Sequence, residues 1–219
     1  MGKLRRILVA LLITVAPGAG LTATPDQSAW DNSLDPVTKE RFIPVELWTG
    51  GQWDGTKELK MAKVNTRFGR RMEKQIRGPI EWKHPATGEM LLVYERMSPE
   101  RDGTKWQLFT INEDRSGLGR VDDARPSLGK RAMSGGLKFP LGYWKEGETR
   151  KFAYKHYDGS KESTRVETIT ISQIDFTYLE IPHCLKFEWT LTDGEGAKRY
   201  DRHTYIYCPG KSLVHEIQY

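Results

Sequence analysis

Apolar and polar residues alternate with a period of two in the C-terminal third of the chain. Leu185, Phe187, Trp189 and Leu191 occupy every second position, with polar residues between them. This period is typical of a half-buried β-strand. A turn signal at 193–196 (DGEG) follows, and the segment 200–207 is rich in Tyr, Thr and Ile. The pattern predicts a β-hairpin centred on Gly196, in which Phe187 faces Tyr205 and Trp189 faces His203.

Shorter strand patterns, bounded by Gly, Pro, Asn and Asp, occur along most of the chain. Within 166–178 the apolar phase shifts near Ser172-Gln173, which predicts a β-bulge. Asp35-Pro36 predicts the start of a short N-terminal helix. No long segment has a period of 3.6, so we expect a mainly β fold of curved antiparallel hairpins, as a sandwich or a partly open barrel. The other predicted strands are 42–48, 80–82, 90–94, 106–111, 149–157 and 212–219.

The first 23 residues have the three parts of a secretory signal peptide. Lys3, Arg5 and Arg6 precede the apolar stretch 7–16, and small residues follow it. About ten apolar residues are too few to span a bilayer, which needs about twenty. We therefore expect cleavage after Gly20 or Ala23, no stable membrane anchor afterwards, and a periplasmic or secreted protein.

The mature chain, 24–219, is expected to form a single mainly β domain. The segment 122–136 is polar, Gly-rich and without periodicity, so it is predicted to be a loop. If the strands form two sheets, this loop would join them.

Most of the excess positive charge of the chain lies at its N-terminus. Lys3, Arg5 and Arg6 carry three of the five excess positive charges, so the chain without the signal segment has a net charge of +2. A nucleic-acid partner is not expected for an exported protein with so small a net charge. The basic patch Lys63, Arg67, Arg70, Arg71, Lys74 and Arg77 is interpreted as a solvated face.

Cys184 and Cys208 are the only cysteines of the chain. In the predicted hairpin they face each other, which gives the spacing that a disulfide needs. An exported protein meets an oxidising environment, so a disulfide is favoured over a nucleophilic cysteine with His183 or His203 as its base.

The C-terminal segments 139–154 (FPLGYWKEGETRKFAY) and 205–216 (YIYCPGKSLVHE) resemble a loose family of exported bacterial β-domains of unknown function. Members commonly have an aromatic-x-Pro-Gly turn before a final "LV" strand. Ser212 occupies a position where a second glycine is common. The resemblance implies a curved antiparallel sheet and no catalytic residues.

One segment partly matches a calcium-binding loop. Asn112, Asp114, Ser116 and Asp123 fall at oxygen-ligand spacing, with Gly117 at the sharp turn. The pattern departs at Gly119, where an apolar residue is usual, and at Asp123, where Glu is usual. A simple hairpin turn is therefore favoured, and no cofactor or metal is expected.

Aromatic residues are the remaining candidates for ligand binding. Trp53 lies between glycines in a predicted turn, and Trp48 is close to it. Exposed turn aromatics can stack on sugars or line apolar pockets. Both residues are predicted to contact an apolar or saccharide ligand.

The function most favoured by the sequence is a non-catalytic, exported cell-envelope protein that binds such a ligand or another envelope component. No nucleophile elbow, phosphate loop or zinc motif is present, which disfavours an enzyme. Two alternatives stay open. One is an envelope hydrolase with dispersed acid and base residues. The other is a small outer-membrane β-barrel ending at Tyr219, which charges on both strand faces disfavour.

Overall fold

Antiparallel strands make up most of the computed structural model, which describes residues 35, 37–51, 59–65, 71–100, 103–124, 131–194 and 199–219. The predicted signal segment and Trp53 lie outside these ranges. No helix in the described part of the chain is long and apolar enough to cross a membrane.

The described ranges contain thirteen strands and one helix of five residues. The elements before the middle of the chain are β1 (Arg41–Ile43), α1 (Val45–Thr49), β2 (Leu59–Asn65), β3 (Arg71–Lys83), β4 (Met90–Glu100), β5 (Gly103–Ile111) and β6 (Leu118–Ala124). The later elements are β7 (Arg131–Met133), β8 (Gly142–Trp144), β9 (Thr149–Asp158), β10 (Lys161–Tyr178), β11 (Ile181–Thr192), β12 (Arg199–Cys208) and β13 (Ser212–Gln218).

Eleven of these strands form one curved sheet in the order β13-β12-β11-β10-β9-β7-β6-β5-β4-β3-β2, and β1 pairs with β8 separately. All pairs are antiparallel. The edge strands β2 and β13 approach each other to within 8 Å between Cα atoms, but no hydrogen-bonded ladder is described between them. The sheet is therefore curved but not closed into a barrel, and the predicted mainly β fold of antiparallel hairpins is confirmed.

The predicted C-terminal hairpin is confirmed with its register. Phe187 pairs with Tyr205 and Trp189 with His203. Cys184 and Cys208 form a disulfide with a Cα–Cα distance of 4.3 Å. The predicted bulge is also confirmed, because the register of β10 against β11 shifts between Ile171 and Gln173. Bulges of this kind increase local twist and help a long strand to bend.

A short N-terminal helix is present, as expected, but it is α1, which begins at Val45 within the segment predicted as a strand and not at Asp35-Pro36. Asp35 Oδ1 accepts hydrogen bonds from the backbone amides of Val37 and Thr38, and these bonds close a turn. The predicted strand 42–48 is divided at Pro44, whose extended conformation ends β1 and precedes α1. A proline can stand at a helix start because no helical hydrogen bond needs its missing N–H.

Helix α1 and the segment around β8 fill one end of the concave side of the sheet. Trp48, Phe139 and Trp144 are all fully buried there. The ring of Trp48 meets that of Phe109 edge-on at 5.2 Å, and Phe139 meets Tyr207 at 4.7 Å. These aromatic contacts form the centre of the main apolar core.

The hairpin end of β3 and β4, which we call the arm, packs on the face of the sheet opposite the main apolar core. The β3–β4 register shifts between Arg77 and Ile80, and beyond this point Trp82 packs in a small separate apolar cluster. His84 Nδ1 accepts backbone N–H bonds from Ala86 and Thr87, so Nε2 carries the proton and donates it to the Met133 carbonyl at 2.8 Å. This bond ties the arm to β7.

The segment 122–136 is less of a loop than the sequence predicted. Strand β6 extends to Ala124, and β7 pairs with both β6 and β9. The strands before and after this segment consequently belong to the same eleven-stranded sheet. Residues 125–130 lie outside the described ranges.

Candidate functional site

A cavity of about 540 Å³ lies where β1 and α1 meet the β5–β6 turn, and we call it the end cavity. Apolar side chains and Gly142 share its wall about equally with polar or charged groups. The apolar part comprises Phe42, Ile43, Val45, Tyr94, Ile111, Leu141 and Gly142, and the polar part Glu46, Asn112, Glu113 and Arg115.

The β5–β6 turn owes its position beside this cavity to Gly142. A Cβ atom at Gly142 would lie 2.3 Å from the Arg115 carbonyl oxygen, so only glycine permits this close approach. The φ angle of +77° at Gly142 also favours glycine. Within the turn, the backbone amide of Asn112 donates to the Gly117 carbonyl at 3.0 Å.

The polar side of the end cavity carries both signs of charge. Glu46 and Glu113 supply carboxylates, and Arg115 supplies a guanidinium. Burial raises the pKa of the Tyr94 hydroxyl, and the positive charge of Arg115 opposes this rise. Tyr94 therefore stays protonated at neutral pH and can donate or accept a hydrogen bond.

The predicted calcium ligands of the β5–β6 turn bond to one another. Asn112 Nδ2 donates to Ser116 Oγ at 3.1 Å, and the Ser116 amide donates to Asp114 Oδ1 at 2.8 Å. Asp123 pairs with Gln107 on the sheet. A calcium ion would have to replace these hydrogen bonds. Among the residues that the structure describes, no group of three His, Cys, Asp or Glu side chains could hold a metal.

A second polar region, the inner cluster, lies on the concave face beside the aromatic core. Burying such groups costs free energy unless they find partners. Most of its members are less than one-tenth exposed, and the others are half-buried. We define the inner cluster as Arg96, Gln107, Arg120, Asp122, Tyr154, His156, Glu167, His203, Tyr205, Tyr207 and Glu216.

Arg96 lies at the centre of the inner cluster. Its guanidinium stands 4.9 Å above the Phe109 ring and 6.0 Å from that of Trp48. Its Nη2 donates a short hydrogen bond to Gln107 Oε1. Its Nε is buried and has no hydrogen-bond partner in the described structure. Burial lowers the pKa of Arg96, and the nearby hydroxyls of Tyr207 and Tyr205 oppose that shift.

His203 is held between two carboxylates. Its Nε2 lies 2.8 Å from Asp201 Oδ1 and its Nδ1 2.9 Å from Glu216 Oε1. The ring also stacks on Tyr205 at 5.4 Å with an interplanar angle of 6°. Because each ring nitrogen lies within hydrogen-bonding distance of a carboxylate, neither is open to serve as a base or a metal ligand.

Glu167 is the most deeply buried carboxylate of the inner cluster, at 1 % exposure. Its Oε1 accepts a 3.2 Å hydrogen bond from Tyr154, while Oε2 has no partner in the described part of the chain. A Cβ atom at Gly136 would lie 2.6 Å from Oε2, so the backbone at Gly136 covers this oxygen.

Trp48, one of the two predicted ligand-binding tryptophans, does not line the end cavity. Trp48 is 1 % exposed and its ring is covered by the protein itself, so contact with a ligand would require this ring to be uncovered. Trp53 lies outside the described ranges. The predicted cysteine alternative does not apply, because both sulfurs are in the disulfide.

Sequence reasoning missed both the end cavity and the inner cluster. No motif marks them, because their residues come from strands that are distant in sequence. The only available signal was a charged residue within a predicted strand, such as Glu167 in 166–178, whereas Arg96 lies two residues beyond the predicted strand 90–94.

No protein-family model matches the chain, and no curated protein and no solved structure matches it either. The resemblance to exported bacterial β-domains stays a prediction. The strand topology establishes the fold, and the end cavity and the inner cluster are the two regions that bear on function.

Proposed function

We propose that this protein is an exported, non-catalytic binding protein that holds a small amphipathic ligand in its end cavity. The observation that carries this proposal is the cavity itself, about 540 Å³ in volume and lined by both apolar and charged side chains. Small-molecule sites have volumes of about 300–1,000 Å³ and combine apolar walls with a few polar groups.

The lining of the end cavity favours a ligand with both apolar and hydrogen-bonding surfaces. Phe42 and Tyr94 offer aromatic rings, and Asn112 and Arg115 offer hydrogen-bond donors. A saccharide has this combination, because its C–H face packs on rings while its hydroxyls form hydrogen bonds. A medium-chain alcohol would use the apolar wall and a single polar contact.

Export is supported by two independent features. The first 23 residues have the pattern of a secretory signal peptide. The Cys184–Cys208 disulfide is typical of an oxidising compartment such as the periplasm or the extracellular space. A periplasmic or secreted binding protein accounts for both.

Thermal-shift measurements on the mature protein test the proposed cavity. We would compare neutral saccharides with neutral medium-chain alcohols, using wild type, Val45→Trp and Val37→Trp. Val45 lines the cavity, whereas Val37 is exposed outside it, so Val37→Trp is the matched control. We expect a probe that raises the melting temperature of wild type and Val37→Trp but not of Val45→Trp. An equal rise in all three proteins would contradict binding in the end cavity.

A hydrolase is the second candidate, because the inner cluster contains the buried carboxylates Glu167 and Asp122. A buried carboxylate can serve as a general acid or base. The backbone at Gly136 covers Glu167, which favours the binding protein. Hydrolysis of chromogenic esters or glycosides that is lost on Glu167→Gln would instead favour the enzyme.

A further inference from the structure

The inner cluster gathers hydrogen-bond donors from opposite ends of the sheet around one point. Arg96 comes from β4, near one edge, and Tyr205 and Tyr207 come from β12, near the other. The curvature of the sheet brings them near each other, and the positive charge of Arg96 opposes the rise that burial causes in the pKa of each tyrosine.

A second cation lies near Arg96. The positive charge of Arg120 adds to the effect of burial in lowering the pKa of Arg96. Arg120 is also buried, and its Nε donates to the Met133 sulfur at 3.4 Å. Two guanidinium groups that disfavour each other's charge in a buried place are stabilised when an anion binds to them.

The carboxylates nearby do not fully neutralise the positive charge of Arg96. In the described part of the chain, no carboxylate forms an ion pair with Arg96 within 4.0 Å. Glu216 acts on Arg96 from a greater distance, and its Oε1 is bonded to His203 Nδ1. Arg96 therefore keeps a buried N–H at Nε whose hydrogen-bonding capacity the described protein leaves unused.

We infer that the inner cluster is a binding site for an oxyanion, a carboxylate or phosphate group, held by Arg96 with the hydroxyls of Tyr205 and Tyr207. A guanidinium matches the planar oxygens of such a group and can bind it through two N–H donors. The Tyr207 hydroxyl is hydrogen-bonded to Arg96, and each phenol hydroxyl can still donate its own proton to such a group. The rings of Phe109 and Trp48 hold the guanidinium in place.

This site is separate from the end cavity, because none of its residues lines that cavity. The partly exposed side chains of Asp201 and Glu216 place the solvent side of the inner cluster at β12 and β13. The anion is either free in solution or part of a larger molecule. Inorganic phosphate is the probe for a phosphate group, and acetate is the probe for a carboxylate.

The test is a titration of the mature protein with inorganic phosphate and with acetate. Binding is measured by calorimetry and by the shift in melting temperature. Sodium chloride at equal ionic strength controls for screening. Arg96→Gln removes the proposed anchor, and Tyr207→Phe removes one hydroxyl while leaving Arg96 in place. Arg202→Gln is the matched control, since Arg202 bonds Glu188 and stacks on Tyr219 away from the inner cluster.

We expect phosphate or acetate to bind wild type and Arg202→Gln equally. We expect at least a tenfold loss of affinity in Arg96→Gln and a smaller loss in Tyr207→Phe. The inference is overturned if neither anion binds wild type, if chloride produces the same shift, or if folded Tyr207→Phe and Arg96→Gln both bind as wild type does. Because all proteins retain the end cavity, these results are independent of neutral-ligand binding there.

Discussion

The hydroxyl of Ser212 donates a 2.7 Å hydrogen bond to the backbone carbonyl oxygen of Trp48, linking residues that are 164 positions apart. This bond ties α1 to the start of β13. Both residues are buried, and Ser212 has a φ angle of +61°, in the left-handed region that favours glycine. The hydrogen bond therefore requires a hydroxyl at position 212, whereas the backbone conformation favours glycine there.

Ser212→Ala and Ser212→Gly separate the effect of the hydrogen bond from the effect of the positive φ angle. Both variants lose the hydrogen bond and leave the Trp48 carbonyl without it, which costs about 1–3 kcal/mol. Glycine also relieves the left-handed strain, which is about 1 kcal/mol for a residue with a Cβ atom. We expect Ser212→Ala to be the less stable of the two in urea denaturation. The opposite order would show that the positive φ carries no strain here.

The same residue shows how far the sequence was informative. A glycine is common at this position in the domains that the C-terminal segment resembles, and the positive φ gives a physical reason for it. The serine was a departure whose purpose the sequence did not show, because its partner Trp48 lies in a different part of the chain. A contact over such a sequence distance leaves no local pattern.

Reduction of the Cys184–Cys208 disulfide is expected to destabilise the protein by about 3 kcal/mol, because the bond joins two residues that are 24 positions apart. Urea denaturation with and without reductant measures this difference. Cys184→Ala with Cys208→Ala should be destabilised at least as much and should not respond to reductant. A wild type that exposes two thiols on reduction without losing stability would contradict the prediction.

The C-terminal hairpin was predictable because local signals agreed. The period of two in 184–191 and the turn at 193–196 both specified the pairing of Phe187 with Tyr205. The segment 42–48 was not predictable in the same way, because a short apolar run is compatible with a strand or a helix. Its packing against the sheet at Trp48, a tertiary effect, decides between them.

The functional regions were not predictable, because sequence does not show which face of a strand lies inside a curved sheet. Arg96 follows Glu95 directly and shows no period of two with its neighbours, and Glu167 shares the phase of Ile169 and Ile171 although carboxylates usually face solvent. The sheet curls so that these charges lie on the concave side. A strand pattern alone gives the same signal for either face.

Gly136→Ala should destabilise the protein more than Gly135→Ala. Both glycines have φ angles above +100°, so backbone strain is common to the two substitutions. A Cβ atom at Gly136 would lie 2.6 Å from Glu167 Oε2, whereas one at Gly135 would have no neighbour within 4 Å. We expect a difference of about 2 kcal/mol in the free energy of unfolding.

Thermal or urea denaturation measures this difference, and Glu167→Ala supplies the control. With the carboxylate removed, the extra cost of alanine at 136 should fall. An unchanged difference in that background would show that the close contact with Glu167 is not its cause.

The stability of the protein is expected to fall between about pH 10 and pH 12 because of Tyr207. Burial raises the pKa of Tyr207 from 10.0 to about 12, with Arg96 opposing the rise and Glu216 adding to it. The folded state therefore holds the phenol proton more tightly than the unfolded state. The contribution of Tyr207 is complete below pH 10 and is lost as the pH rises through 12, a change of about 3 kcal/mol.

Tyr207→Phe should flatten this part of the pH profile, which urea denaturation at several pH values measures. A variant that loses stability with pH as steeply as wild type would show that Tyr207 ionises no later in the folded protein than in the unfolded chain.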